Sequence, residues 1–457
     1  MTSAACPSLP RTENRIYTAW ILLLFTLVST FGFIDRIIVQ ILVQPIKAEL
    51  HVSDAQMGLL GGLTFGVLYA LLSIPIARMA ERKNRIAIIS ISTALWSFAT
   101  AVSGFTSNFT QLVLARIGVG IGEAGGSPAT VSVIADYFPR ERRASAMAIY
   151  SLAVPLGAFL GGRVGGYAAL HWGWRAAFLI VGLPGVFLAL LQWLTLRDPR
   201  RGQNDPNVDV SNTPPFSAVL RRFAQRSSLI HVVLGATIST VAGYGLSFFM
   251  AAYLSRHFGL NTSQAGLRVG LISSVPAALS IMAGGFLADR AGRRKAYWYA
   301  LIPAIGTTLS APFYIAAFRA NTVDMSTAFL AISATCAYAY IPAVAAIVQN
   351  MMEPRMRASA VAITGLIYTL VGQGLGPLLV GKLSDHFARV AFAGDFDFVC
   401  HADAGVVAVA CGQAAATGLQ SALVLWALLY LWSGAHLALG ARTLGRDLSL
   451  PATAKPR

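Results

Sequence analysis

The sequence predicts an all-α membrane protein of twelve transmembrane helices, arranged as two pseudo-symmetric six-helix halves. Three observations predict it: a composition of 56% hydrophobic and 12% charged residues over 457 positions, apolar stretches of bilayer-crossing length, and motifs that recur in the same order about half a chain apart. A soluble globular chain carries about 25% charged residues, so most of this surface faces something other than water. The mean hydropathy of +0.63 says the same.

The stretches from Tyr17 to Pro45 and from Asn108 to Phe138 each exceed the roughly 20 residues that cross a bilayer. No water inside the hydrocarbon could satisfy an exposed backbone, so such segments must be helices. Helices are expected to start near Tyr17, Ser53, Ile86, Asn108, Arg142 and Trp172, then near Ser227, Thr262, Arg294, Thr322, Met356 and Ala415. Ser53-x-x-Gln56 has the form of a capping box opening the second. The polar stretch Arg197 to Arg226, with Asp205-Pro206 and Pro214-Pro215, has the composition of a linker. The expected organisation is therefore a first half over 1–196, a cytoplasmic linker over 197–226 and a second half over 227–457.

A net charge of +16 would suggest nucleic acid in a soluble protein. Here the cations cluster in alternate inter-helix segments, among them Arg78/Arg82/Lys83/Arg85, Arg140/Arg142/Arg143 and Arg290/Arg293/Arg294/Lys295, and at both termini. Lys47, Arg256, Arg319 and Arg389 are the exceptions in the other loops. Positive residues stay on the cytoplasmic side, which predicts an even number of spans, both termini inside, an inner-membrane location and no nucleic-acid partner. The first apolar segment is too long for a cleavable signal and is expected to act as an anchor.

The two halves read as copies. Gln56-x-Gly58-Leu59 recurs as Gln264-x-Gly266-Leu267, and Glu81-Arg82-x-x-Arg85 as Asp289-Arg290-x-x-Arg293. Arg143-Ala-Ser-Ala-x-Ala-Ile149 recurs as Arg357-Ala-Ser-Ala-x-Ala-Ile363. Three matches in one order at nearly one spacing point to a duplicated six-helix unit, the parallel repeat of one large transporter class.

Gly285-Phe-Leu-Ala-Asp289-Arg290-Ala-Gly292-Arg293-Arg294 resembles the signature loop of the major facilitator superfamily, and Ala77-Arg-Met-Ala-Glu81-Arg82-Lys-Asn84-Arg85 resembles a diverged copy of it. Arg116 and Pro155-Leu-Gly157-x-x-x-Gly161 are similar to two further signatures of that superfamily. Within it, Phe33-Ile-Asp35-Arg36, Glu81-Arg82-Lys83-Asn84-Arg85 and Gly118-Val-Gly120-x-Gly122-Glu123-Ala124 resemble the Spinster-type lipid transporters, so the chain is expected to be a bacterial Spinster homologue. The resemblance implies alternating access by rocking of the halves. It also implies a cytoplasmic gate that the signature loops hold closed in the outward-facing state, at Glu81, Arg82, Arg85, Asp289, Arg290 and Arg293. Asp136 is expected to join Arg82 or Arg85 in an ion-pair cluster, and the alternative is that these cations only enforce topology. In animals such families move lysolipids or sphingoid phosphates.

Charges deep in a bilayer cost about 2.5–3.5 kcal/mol or more each, so they mark function. In the first half they are Asp35, Arg36, Arg116 and Glu123. Arg116 and Glu123 are seven residues apart, on one helix face and about 10 Å apart along the axis. Gly120 lies between them and is expected to leave open space. The second half has no mid-helix carboxylate, and its deep polar residues include Tyr244, Tyr338, Tyr340, Tyr368 and Gln373. Any proton coupling is therefore expected at Glu123 and Asp35. Arg116, with its bidentate guanidinium, is expected to recognise an anion or balance charge. The alternative is a static Asp35–Arg116 pair fixing the first helix to the fourth. Arg36 is expected at the cavity edge or snorkelling outward.

Phe248, Phe249 and Tyr253 could line an acyl-chain cavity, with a lipid-facing or core position as the alternative. Cys400 and Cys411 lie in an extracytoplasmic, oxidising segment and are expected to form a disulfide, the alternative being two free thiols. No metal-like spacing, Walker loop or nucleophile elbow is present, which gives no support to an ATP-driven pump, a membrane hydrolase or a metal site. The expected function is a proton-coupled secondary transporter, acting as a monomer, of an amphipathic, anionic, lipid-like substrate, with the proton gradient in place of a cofactor. The alternatives are a drug or organic-anion antiporter or symporter of another subfamily, and a non-transporting receptor on the same fold.

Overall fold

The computed structural model describes residues 15–200, 216–353, 356–401 and 407–449, with the side chains of Glu81, Ser127, Arg140, Glu141, Ala144, Phe216, Ala358, His401 and Ser449 outside the description. Among the described residues the secondary structure is entirely helical. Ten segments are long and apolar enough to cross a membrane. Two departures from that count recover the twelve expected spans. The segment Ser145–Thr195 holds spans 5 and 6, joined at Gly173, whose φ of 82° turns the chain back. Span 4 is absent from the ten because it is broken into Phe109–Glu123 and Gly126–Tyr137.

Span 1 is Arg15–Ile41, span 2 Asp54–Ala80, span 3 Arg85–Ser103, span 7 Ser227–Phe258, span 8 Thr262–Gly292 and span 9 Trp298–Phe318. Span 10 is Val323–Met351, span 11 Ser359–Ala391 and span 12 lies in Ala408–Leu448. The first eleven starts fall within a few residues of expectation, and span 12 begins earlier than the expected Ala415. Half of the expected linker, 201–215, lies outside the described residues. Its end forms a short amphipathic helix, Phe216–Gln225, in which Val219 is buried against the second half.

The duplication is visible in local irregularities as well as in motifs. Ser53 and Asn261 each build a full capping box, with Gln56 and Gln264, at the starts of spans 2 and 8. Span 4 breaks at Ala124, and its copy, span 10, breaks at Tyr338. Spans 5 and 11 each carry one π-helical turn, Gly161–Gly165 and Tyr368–Gln373. A π turn leaves the helix locally wide and mechanically soft.

The halves are pressed together at the ends opposite the basic loops. A Cβ on Gly162 of span 5 would lie 2.2 Å from the carbonyl oxygen of Gly266 in span 8, and one on Gly266 would lie 2.3 Å from that of Gly162. A Cβ on Gly58 of span 2 would lie 2.2 Å from the carbonyl oxygen of Pro377 in span 11. Only glycine permits backbones this close, as in other membrane helix pairs. Phe248, Phe249 and Tyr253 belong to this same packed region, at most 2% exposed, so they are core and do not line a cavity.

Candidate functional site

Consecutive residues on a helix point about 100° apart, and this separates Asp35 from Arg36. Asp35 is fully buried and faces span 4, where Arg116 donates Nη1 to its Oδ1 and Nη2 to its Oδ2, both at 2.9 Å. The Thr100 hydroxyl of span 3 donates to Oδ1 at 2.6 Å. The fork of Arg116 is thus filled by a carboxylate of the protein, and its remaining Nε has no partner.

Arg36 turns the other way and meets Glu123, with Nε donating to Oε2 at 2.9 Å and the Nη2 group on the same oxygen. Three rings surround the guanidinium, those of Phe33 at 5.5 Å, Phe65 at 5.0 Å and Tyr69 at 5.6 Å from its centre. Desolvated cation–π contacts of this kind contribute about 0.5–2 kcal/mol each. Glu123 ends the first piece of span 4, where the helix breaks, and its second oxygen, Oε1, is buried with no hydrogen-bond partner.

Spans 1 and 4 are therefore tied at two levels, Asp35–Arg116 and Arg36–Glu123. A cavity of about 290 Å³ opens beside the second pair, lined by Arg36, Glu123, Tyr69, Trp96 and Ser29 among others. Arg116 and Asp35 do not line it. Of the two expectations for Arg36, the cavity edge and outward snorkelling, the structure has the first, and the pairing with Glu123 was not foreseen. Gly120 does not leave open space either. A Cβ there would lie 2.8 Å from the Phe65 carbonyl oxygen, so span 2 fills the position.

On the basic-loop side, Arg85 is 2% exposed and forms the centre of a cluster. It contacts Asp136, donates Nε to Asp198 Oδ1 at 2.8 Å and Nη1 to the Ser132 hydroxyl at 3.0 Å, and reaches the Pro199 carbonyl at 2.8 Å. The expected Asp136 partner is thus Arg85 and not Arg82, and Asp198 is a member the sequence did not single out. All of this lies within the first half and the start of the linker that follows it. In the second half Asp289 accepts the Tyr299 hydroxyl at 3.2 Å. No ion pair joins Arg82, Asp289, Arg290 or Arg293 to the opposite half among the described residues, consistent with halves that part on this side. Cys400 and Cys411 form a disulfide with a Cα–Cα distance of 5.6 Å.

Residues 24–377 match the Major Facilitator Superfamily. The chain belongs to that superfamily. It is 33% identical to an MFS-type efflux pump of Mycolicibacterium smegmatis over 79% of this chain and 82% of that one. It is 28% identical to the human protein spinster homolog 1 over 81% of this chain and 74% of that one. A crystal structure of a bacterial homolog of the human lysosomal transporter Spinster, in an inward-facing and unoccupied conformation, superposes with a TM-score of 0.87. That structure is 34% identical and covers 96% of this chain and 100% of its own. This is a Spinster-type member of the superfamily, a multi-pass membrane transporter working by alternating access.

Proposed function

We propose that the protein couples proton movement to transport of an amphipathic, anionic, lipid-like substrate through the Arg36–Glu123 pair. The observation that carries this reading is the pair's position: a buried carboxylate and a guanidinium that share a cavity wall, with one carboxylate oxygen unpartnered. An anionic headgroup entering the cavity competes with Glu123 for Arg36, whose planar fork suits a phosphate or carboxylate. A buried carboxylate that loses its cation takes up a proton, because desolvation disfavours the charged form. Release of the anion returns Arg36 to Glu123 and expels the proton. Substrate and proton affinity are linked in this way without direct contact.

Asp35 and Arg116 serve as the fixed support of this exchange. They hold span 1 in register with span 4, and their bidentate geometry makes Arg116 a charge-balancing group. The rings of Phe33, Phe65 and Tyr69 supply an apolar shelf beside the headgroup site, which suits a substrate with a hydrocarbon portion. With the basic loops on the cytoplasmic face of an inner membrane, both termini are inside. On this reading the closed mouth is the outer one and the cavity opens inward.

The efflux-pump name of the M. smegmatis relative supports a second reading, export of amphipathic drugs through the same pair. One experiment separates the two: a substrate panel in proteoliposomes under an imposed pH gradient, led by lysophospholipids and including cationic and neutral amphiphiles. Gradient-driven movement of anionic or zwitterionic lysolipids supports the proposal. Movement of cationic amphiphiles alone would favour the second reading, and gradient-independent movement of all would remove the proton.

A further inference from the structure

A second buried charge cluster sits at the closed mouth, on the side of the membrane opposite the basic loops, and it crosses between the halves. Its centre is Asp54, at the first turn of span 2 and 2% exposed. Asp54 accepts from Arg256 of span 7 through Nη1 at 2.6 Å and Nη2 at 2.6 Å, from Lys47 at 2.7 Å and from the Ser384 hydroxyl of span 11 at 2.6 Å. Two cations therefore neutralise Asp54 directly.

Asp385, beside Ser384 and 6% exposed, is held differently. Its Oδ1 accepts the main-chain N–H of Asp54 at 3.0 Å, and its Oδ2 accepts that of Ala55 at 2.8 Å. A carboxylate of the second half thus caps the helix N-terminus of the first half, where free N–H groups and the helix dipole favour an anion. Among the described residues no cation forms an ion pair with it. The charged groups facing it from neighbouring elements are Lys47 from the segment before span 2, Asp54 from span 2 and Arg256 from span 7. Its own helix carries Lys382, His386 and Arg389, the last paired with Asp397 of the following segment, which also brings Asp395 near. Span 12, also packed against span 11, brings no charged residue to this region. The backbones meet here too, since a Cβ on Gly381 would lie 2.2 Å from the Asp54 carbonyl oxygen.

We propose that Asp385 is a proton-operated latch: as a carboxylate it caps span 2 of the other half and holds this mouth shut, and as a carboxylic acid it lets the mouth open. Both its oxygens are acceptors occupied by N–H donors. A proton on either oxygen makes that oxygen a poorer acceptor for its N–H and removes the charge that the helix terminus favours, so closure loses its cap. When the halves part, Asp385 is left facing the aqueous mouth on that side, where it exchanges its proton with that compartment. Acid on that side then favours the open mouth, and deprotonation recloses it. The device is separate from the Arg36–Glu123 pair and senses the opposite compartment.

The test is a distance measurement on full-length protein in lipid, with spin labels at Ala48→Cys and Val390→Cys, both exposed positions flanking the mouth, and with Cys6 and Cys336 replaced by Ser. Glu123→Gln is present throughout, so that titration of the other site does not enter and a failure of the coupling proposal is not mistaken for a failure of the latch. On acidification the Asp385 protein should gain a longer-distance population. Asp385→Asn should show that population already at neutral pH and respond no further to acid, with Asp385→Ser, smaller and equally uncharged, giving the same result if the amide variant does not fold. A distribution in these variants equal to that of the Asp385 protein would overturn the latch. A full acid response persisting in them would overturn the assignment of the proton to Asp385.

Discussion

Arg36, and not Arg116, is the guanidinium that meets Glu123: its Nε lies 2.9 Å from Oε2, while Arg116 is closed on Asp35 by two bonds of 2.9 Å. Two neighbouring residues of span 1 thereby divide two tasks between two charges on span 4. One pair is buried away from the cavity, and the other lines its wall.

The fixed pair should behave as structure. Removing one member of a buried ion pair costs about 3–5 kcal/mol, because the other charge is left unmatched. Arg116→Ala and Asp35→Ala should therefore lower thermal stability in detergent markedly. Arg36→Ala, whose side chain is 28% exposed, should lower it less while removing substrate binding. Equal destabilisation by Arg36→Ala and Arg116→Ala would erase the distinction.

The cavity guanidinium should be sensitive to shape. Arg36→Lys keeps the charge but loses the fork and much of the contact with three rings, so substrate affinity should fall by about tenfold or more. Equilibrium binding of a transported lysolipid measures it, and wild-type affinity in the Lys variant would reduce Arg36 to charge balance.

The glycine seam predicts a conformational bias. Adding a methyl group at Gly162, which faces the Gly266 backbone, overpacks the closed mouth, at a typical cost of about 1–3 kcal/mol. Gly162→Ala should shift the population toward the state in which this mouth is open, read by spin-label distances across it. An unchanged distribution would mean that the seam has slack.

The signature loops predict the opposite shift. Among the described residues Asp289 makes no bond to the other half in this state, so Asp289→Ala should leave this state intact and disfavour the alternative, in which the basic-loop ends close. Labels on those ends should report a larger population in which they are apart. No change would leave Asp289 as a topology marker.

The disulfide between Cys400 and Cys411 closes a short loop and should add about 2–3 kcal/mol against local unfolding. Mass spectrometry of non-reduced peptides should find the two cysteines linked. Recovery of both as free, alkylatable thiols would contradict the assignment.

Much of this was legible in the sequence. Composition and span length required helices, the repeated motifs required two halves, and even the Ser53 and Asn261 caps follow from their Gln partners. The buried charges announced themselves because their cost in lipid has to be met by function or pairing. Their pairing was not legible, since it depends on how spans 1 and 4 are rotated about their axes, and a one-residue step turns a side chain by 100°. The charge cluster at the closed mouth was missed because Asp54 and Asp385 sit near helix ends, where acids look solvated. A signal was nevertheless present. Lys47 and Arg256 broke the pattern of cation-free loops, and both are the direct partners of Asp54.

The central claim, that Glu123 carries the proton in exchange with Arg36, is tested most directly by counting protons. Purified protein in liposomes loaded with a pH-sensitive dye would be given a transported lysolipid with no imposed gradient. The account predicts that wild-type protein moves protons in a fixed ratio to substrate, and that Glu123→Gln still binds substrate and exchanges it across the bilayer but moves no protons with it. Proton movement in the Gln variant at the wild-type ratio would contradict the account.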